Sequence, residues 1–226
     1  GGQVPDVGRL LSVDDGADGA SFEVTSVQSF GGYVLHMGVL KSGTLETGAK
    51  LECAVDYERR LMISKSHTLT HVMNLALHQV LGDGVSQKGS LVDESKARFD
   101  FSHGKAMTVK QIKEVEGLVQ ASVRSSLPVH IETVPLDKAM EINNLRAVFG
   151  ERYPDPVRVV SIGPTVPELL ADPGNDEWSK FSIELCGGTH IPATDVMSEF
   201  ALVEESAVAK GVRRIVGVTG AAAAEA

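Results

Sequence analysis

The hydrophobic pattern changes character near residue 60, which excludes both an all-α and an all-β chain. Before that point, short apolar stretches (Phe22-Glu23-Val24, residues 33–37 and residues 51–55) are separated by turn chemistry. Asp14-Asp15-Gly16, Asp18-Gly19, Gly31-Gly32 and Ser42-Gly43 supply the turns. Glycine reaches positive φ there, and aspartate bonds its own backbone. Several short strands at this spacing predict a small β-barrel over residues 1–60. Beyond it, residues 66–81 repeat at helical period, with Leu69, Val72, Met73, Ala76 and Val80 on one stripe. Ser66 is the expected N-cap of that helix and Gly82 its stop. Residues 96–103 alternate like a half-buried strand. A second helix spans 108–124, opened by a capping box of Thr108 with Gln111 and carrying Val109, Ile112, Val115, Val119 and Val123 on its apolar stripe. A third is expected from Asp137 as cap to Gly150 as stop, then strands at 157–162, 181–185, 200–203 and 214–218. Residues 163–178, with Pro164, Pro167, Pro173 and several acids, read as an exposed loop. Residues 220–226 read as a trimmed linker or a fraying helix start. The fold class is α+β: a small N-terminal barrel, then an α+β core over residues 61–226.

Composition narrows the functions. With 42% hydrophobic residues, the 226-residue chain can bury a core. A net charge of −9 argues against a protein that coats DNA, although a basic patch can sit on an acidic body. Two cysteines cannot build a disulfide framework, so a reducing compartment is expected. No apolar run approaches the roughly 20 residues that span a bilayer, and the opening residues show no signal-peptide pattern. Because the first residue is Gly1 rather than Met, the chain is expected to be a piece of something longer.

The chemistry concentrates in two pairs. His67 and His71 stand at i and i+4 on the first helix, about 40° apart around its axis. The apolar stripe lies nearly opposite, so the pair is expected to face a cleft or water. In Cys186-Gly187-Gly188-Thr189-His190 a thiol and an imidazole are spaced by glycines just after a strand, where the backbone folds tightly. Together the pairs form a His₃Cys set suited to tetrahedral Zn²⁺. Four protein ligands can also close the shell and leave the metal structural. Cys53, in its apolar strand, reads as a buried inert thiol. No His-Glu-x-x-His is present, so no metalloprotease base accompanies the pair.

His67-Thr68-Leu69-Thr70-His71, the stretch Val85 to Val92, Arg98-Phe99-Asp100-Phe101, the Cys186 to His190 motif and the stretch Ala209 to Ile215 stand in the order found in the editing domain of alanyl-tRNA synthetase, which they resemble. Gly1-Gly2-Gln3 and Gly31 to His36 resemble the small barrel preceding that domain. The resemblance implies a hydrolase that clears Ser-tRNA(Ala) and Gly-tRNA(Ala) and spares Ala-tRNA(Ala). It implies Zn²⁺ on His67, His71, Cys186 and His190, a deacylation role for Gln87, and aminoacyl recognition by Thr70. The implied partners are the acceptor 3′ end of tRNA(Ala) and the other domains of the parent synthetase, with no membrane. Lys88, Arg98, Lys210, Arg213 and Arg214 are the expected phosphate contacts. Leu69 departs from the small residue usual between the two threonines, and repacking is expected there. The long segment 163–178 resembles eukaryotic versions; the expected compartment is the cytoplasm, with the mitochondrion also open. Two other readings stand beside this one: the related threonyl-type editing domain, and a non-catalytic zinc module that binds RNA.

Overall fold

Glycines close the first hairpin. The computed structural model describes residues 2–13, 19–148 and 150–226. Gly1 and the turns expected at Asp14-Asp15-Gly16 and Asp18-Gly19 lie wholly or partly outside these. Four antiparallel strands, β1 (Gly8–Ser12), β2 (Ser21–Phe30), β3 (Tyr33–Ser42) and β4 (Leu51–Val55), follow the order β3-β2-β1-β4. Gly31 and Gly32 join β2 to β3 at φ 56° and 84°, the left-handed pair a two-residue hairpin requires. Among the described residues no ladder joins β3 to β4, so the expected barrel is an open sheet instead. The reason is length: β2 and β3 have ten residues each and β1 and β4 five, so the hairpin outruns its neighbours and β3 is exposed throughout. The thiol of Cys53, expected to be buried, is exposed for the same reason, on β4 of an open sheet. The described residues pack as two units, Val4–Leu61 and a larger one of Met62–Ala226 that residues 2–3 join.

Helix α1 (Tyr57–Leu81) starts nine residues before the expected Ser66. Asp56 caps it, its Oδ1 accepting the Arg59 N–H at 2.9 Å, and Ser66 is a buried interior residue. Gly82 ends it as expected, at φ 86°, with its N–H on the His78 carbonyl. Next come β5 (Gln87–Val92), β6 (Ala97–Ser102), α2 (Val109–Arg124), β7 (Val129–Val134), α3 (Leu136–Met140), β8 (Val157–Ile162), α4 (Val166–Ala171), β9 (Ser182–Leu185), β10 (Phe200–Ala209), β11 (Val212–Thr219) and the single turn α5 (Ala221–Ala224). These strands form two antiparallel sheets, β10-β11-β6-β5 and β7-β8-β9.

Helix α1 is covered on both sides. A Cβ on Gly217 of β11 would lie 3.0 Å from Met73 Sδ and 3.1 Å from Leu69 Cδ2, so the apolar stripe seats closely on one sheet. The opposite side meets β9, where Asn74 Nδ2 donates to Glu184 Oε1 at 3.0 Å and Ser182 Oγ to the His71 carbonyl at 3.3 Å. Of the two surroundings expected for the histidine face, a cleft or water, the structure gives the enclosed one: the face turns away from the apolar stripe and onto the second sheet. One core gathers Leu69, Met73, Phe99, Phe101, Val115 and Ile215, and a second gathers Val159, Val166, Leu169 and Ile183.

The capping box of α2 forms as read, with Thr108 Oγ1 accepting the Gln111 N–H and Gln111 Oε1 accepting the Thr108 N–H. Val109 of the predicted stripe is exposed, sitting in the first turn. Thr108→Ala is expected to cost about 1 kcal/mol, read as a lowered thermal midpoint with unchanged helix content. The third helix stops at Met140 rather than Gly150. The Asn143 N–H bonds the Pro173 carbonyl at 2.7 Å and Asn144 takes φ 62°, so tertiary bonding overrides propensity. The expected loop 163–178 holds α4, with its own capping box of Thr165 and Glu168, and enters a 3₁₀ turn at Asp176–Lys180. No helix among the described residues is long and apolar enough to cross a membrane.

Candidate metal centre

One turn of α1 carries His67 and His71, and the loop after β9 carries Cys186 and His190. Their ligating atoms all lie within 4.8 Å of one another. The three imidazole centroids are 5.4, 4.6 and 4.5 Å apart. Residues separated by more than 110 positions are thus drawn to one point, and the donor set is compatible with zinc.

The outer nitrogens show which atoms are turned inward. His67 Nδ1 lies 2.6 Å from Gln3 Oε1, leaving Nε2 facing Cys186 Sγ at 3.3 Å. His190 Nδ1 lies 3.1 Å from Thr68 Oγ1, which also accepts the Ile191 N–H at 3.2 Å. His71 Nε2 stands 3.6 Å from Glu184 Oε2, an electrostatic approach longer than a hydrogen bond. The inward atoms, His71 Nδ1 and His190 Nε2, are buried with no hydrogen-bond partner. Buried nitrogens are rarely left unpaired. A metal ion would supply the missing partner for both, with the outer atoms held as outer-sphere groups usually hold ligating histidines. The residues fit a metal.

Burial sets the charge states. It is the largest cause holding His67 and His71 down at about 3 and His190 well below its ordinary value, with each other's charge or that of Arg146 and Arg158 adding to it. Neutral rings are the form that ligates. Burial also pushes the Cys186 thiol up to about 11, against the Gly188 N–H that donates to its sulfur at 3.4 Å. A bound metal reverses that preference, because a coordinated thiol gives up its proton.

The loop's shape rests on Arg158 and Gly188. Arg158 Nη1 donates to the Cys186 and Gly188 carbonyls at 2.8 and 2.6 Å. A Cβ on Gly188 would fall 2.0 Å from His67 Cε1, whereas one on Gly187 meets nothing within 4 Å. Only the second glycine is required by space.

Beside the cluster lies a cavity of about 170 Å³ whose polar wall includes Asn74, His78, Ser86, Gln87, Arg146 and Glu184. Glu184 belongs to both places: it approaches His71 and lines the cavity. Burial pushes its carboxyl up to about 7, opposed by Arg146 and by the hydrogen bond from Asn74. Gln87 thus reaches a wall shared with the metal cluster. Thr70 is buried on α1, its hydroxyl donating to the Ser66 carbonyl at 3.0 Å. The basic candidates lie on the other sheet and its hairpins, Lys88 next to Gln87 on β5. Arg213 and Arg214 are bidentate on Glu205 and Asp100, at 2.7–2.8 Å. Arg98 approaches Asp100 at 3.7 Å, while Lys88 and Lys210 are exposed.

Sequence reasoning did not single out Gln3, Thr68, Arg158 or Glu184. Glu184 had a signal: it is an acid between Ile183 and Leu185 inside the expected strand 181–185.

Residues 157–216, running from β8 through the Cys186–His190 loop into β11, match the family model described as the threonyl and alanyl tRNA synthetase second additional domain. The rest of the likeness is wider. Along its whole length the chain resembles a segment of alanine–tRNA ligases. It is 49% identical over 226 residues to the mitochondrial alanine–tRNA ligase of Saccharomyces cerevisiae, covering 100% of this chain and 23% of that protein. It is 51% identical over 221 residues to the alanine–tRNA ligase of Candida albicans, covering 97% and 22%. With the cytoplasmic alanine–tRNA ligase of Dictyostelium discoideum the identity is 47% over 228 residues, covering 100% and 24%. The chain therefore spans less than a quarter of the length of these relatives, which include mitochondrial and cytoplasmic forms.

Proposed function

We propose that this chain hydrolyses the ester of wrongly charged tRNA(Ala), releasing serine from Ser-tRNA(Ala) and glycine from Gly-tRNA(Ala), as the editing part of an alanyl-tRNA synthetase. The observation that carries the reading is the His₃Cys cluster sharing Glu184 with a small polar cavity, in a chain similar throughout to a segment of alanine–tRNA ligases. His67, His71, Cys186 and His190 would hold Zn²⁺. When bound, that ion supplies a Lewis acid able to polarise an ester or a water, or a fixed charge to seat the terminal adenosine.

The chain's own residues position and select. An aminoacyl ester is already activated, so placement and water control matter more than a strong nucleophile. Thr70 has spent its hydroxyl hydrogen on Ser66, so towards a substrate it is an acceptor. Gln87 donates through Nε2 to Ser90 Oγ at 3.3 Å, which leaves its carbonyl oxygen as an acceptor too. A serine hydroxyl satisfies such an acceptor; alanine leaves it unpaired. Lys88 and Lys210 are the first candidates for acceptor-end phosphates, because Arg213 and Arg214 must first release carboxylates and Arg98 leans on Asp100. An acidic domain that meets only the 3′ end of tRNA leaves most of the grip to the parent's other domains. The free thiols of Cys53 and Cys186 suit a reducing compartment, and the cytoplasm is the one proposed.

The test is deacylation of Ser-, Gly- and Ala-tRNA(Ala), with metal analysis on the same sample. Serine is expected to leave on the order of 100-fold faster than alanine. Equal rates overturn the reading, and preference for Ser-tRNA(Thr) over Ser-tRNA(Ala) moves the chain to the threonyl type.

A further inference from the structure

The segment before β1 carries a side chain that ends at the metal cluster. Gln3 Oε1 lies 2.6 Å from His67 Nδ1, 3.0 Å from the Thr189 N–H and 3.3 Å from Thr189 Oγ1. The Thr189 N–H can only donate, so the atom facing it is the amide oxygen and not the amide nitrogen. That fixes the neighbouring imidazole. His67 must carry its proton on Nδ1, which frees the Nε2 lone pair to point at the cluster. Ser64 Oγ then donates to Thr189 Oγ1 at 2.9 Å, completing a chain from α1 through the loop to Gln3.

Gln3 is itself held in place. The Val92 N–H donates to the Gly2 carbonyl at 2.8 Å, and Gln3 pairs with Val92 in a parallel bridge. A Cβ on Gly2 would lie 2.2 Å from the Ser90 carbonyl oxygen, so glycine is needed for this approach. One amide oxygen thus ties together one of the two ligands on α1 and the loop bearing Cys186 and His190.

We infer that Gln3 is a positioning residue of the metal centre, setting the His67 tautomer and the seat of the Cys186–His190 loop. This rests on the metal reading above. Outer-sphere partners of ligating histidines typically govern affinity by about 10–100-fold. The experiment titrates the 226-residue chain with Zn²⁺ against a chelating indicator and records Co²⁺ absorbance as a signature of thiolate and imidazole ligation. Gln3→Ala is expected to weaken Zn²⁺ by about 10–100-fold and to change the Co²⁺ spectrum. Circular dichroism of the metal-free variant is expected to match the parent. Gln3→Glu keeps an acceptor oxygen towards His67 and Thr189 and is expected to restore affinity. A parent chain that binds no metal overturns the metal reading and this inference with it. A parent that binds tightly, beside a Gln3→Ala variant that binds equally well, overturns the inference alone. Failure of Gln3→Glu to rescue overturns the acceptor argument.

Discussion

Cys186→Ala is expected to lose the metal and the hydrolysis of Ser-tRNA(Ala) together. The sulfur is the one donor of the cluster that becomes an anion when it ligates, so it offsets the charge of a divalent ion that three neutral rings do not. Removing a ligand costs more than removing an outer-sphere partner, so the affinity loss is expected to exceed about 100-fold. The fold has reason to survive. Cys186 holds β8 through its backbone: its N–H reaches the Arg158 carbonyl at 3.2 Å, and its carbonyl takes Arg158 Nη1. What the variant leaves unpaired in the loop is the Gly188 N–H, which donates to the sulfur in the parent. The measurement pairs metal content with deacylation rate on one preparation, with circular dichroism as the control. If the metal-free variant keeps its spectrum and loses activity, the ion serves the reaction. If it unfolds while Gln87→Ala leaves deacylation intact, the metal is structural and Gln87 is not part of the reaction. Full activity in a metal-free preparation removes metal from the chemistry.

What could be read from the sequence followed the range of the forces involved. The α2 capping box, the Gly82 stop and the alternation that became Ala97–Ser102 are settled within a few residues, and each was legible. The start of α1 was not. Ser66 has the chemistry of a cap, but Asp56 takes that role further upstream and Ser66 is then enclosed by tertiary packing. α3 failed for a similar reason, because Asn143 bonds a carbonyl thirty residues away. Within the centre, i,i+4 spacing and a Cys-x-x-x-His loop announced four ligand-type residues. Their supporting atoms carry no such spacing: Gln3, Thr68 and Glu184 reach the three rings from three separate segments. The expected barrel failed on strand length, which turn residues alone do not specify. The histidine face does turn away from the apolar stripe, but one stripe cannot reveal that a second sheet covers the helix's other side.

The two central glycines of Cys186-Gly187-Gly188-Thr189-His190 are expected to respond oppositely to a single added methyl group. Spacing alone makes them equivalent; space does not. At Gly187 a Cβ meets nothing within 4 Å, so Gly187→Ala is expected to bind Zn²⁺ and turn over like the parent. At Gly188 the same atom would come 2.0 Å from His67 Cε1, 2.2 Å from His67 Nδ1 and 2.8 Å from Gln3 Oε1. Those distances are far inside van der Waals contact, so something must move, and each way out damages the site. The loop is pinned by Arg158 through the Cys186 and Gly188 carbonyls, so withdrawing it pulls on two ligands. Turning the ring aside breaks the 2.6 Å bond to Gln3 and swings Nε2 away from the sulfur. Overpacking of this kind costs about 1–3 kcal/mol in stability, and the greater loss falls on metal affinity because ligand geometry is what yields. Gly188→Ala is therefore expected to weaken Zn²⁺ by at least about 100-fold and to lower deacylation in step, while Gly187→Ala stays within about twofold. Parallel metal titrations of the two variants decide it. Equal behaviour of the pair would mean that the close approach of the loop to His67 is not what holds the centre together.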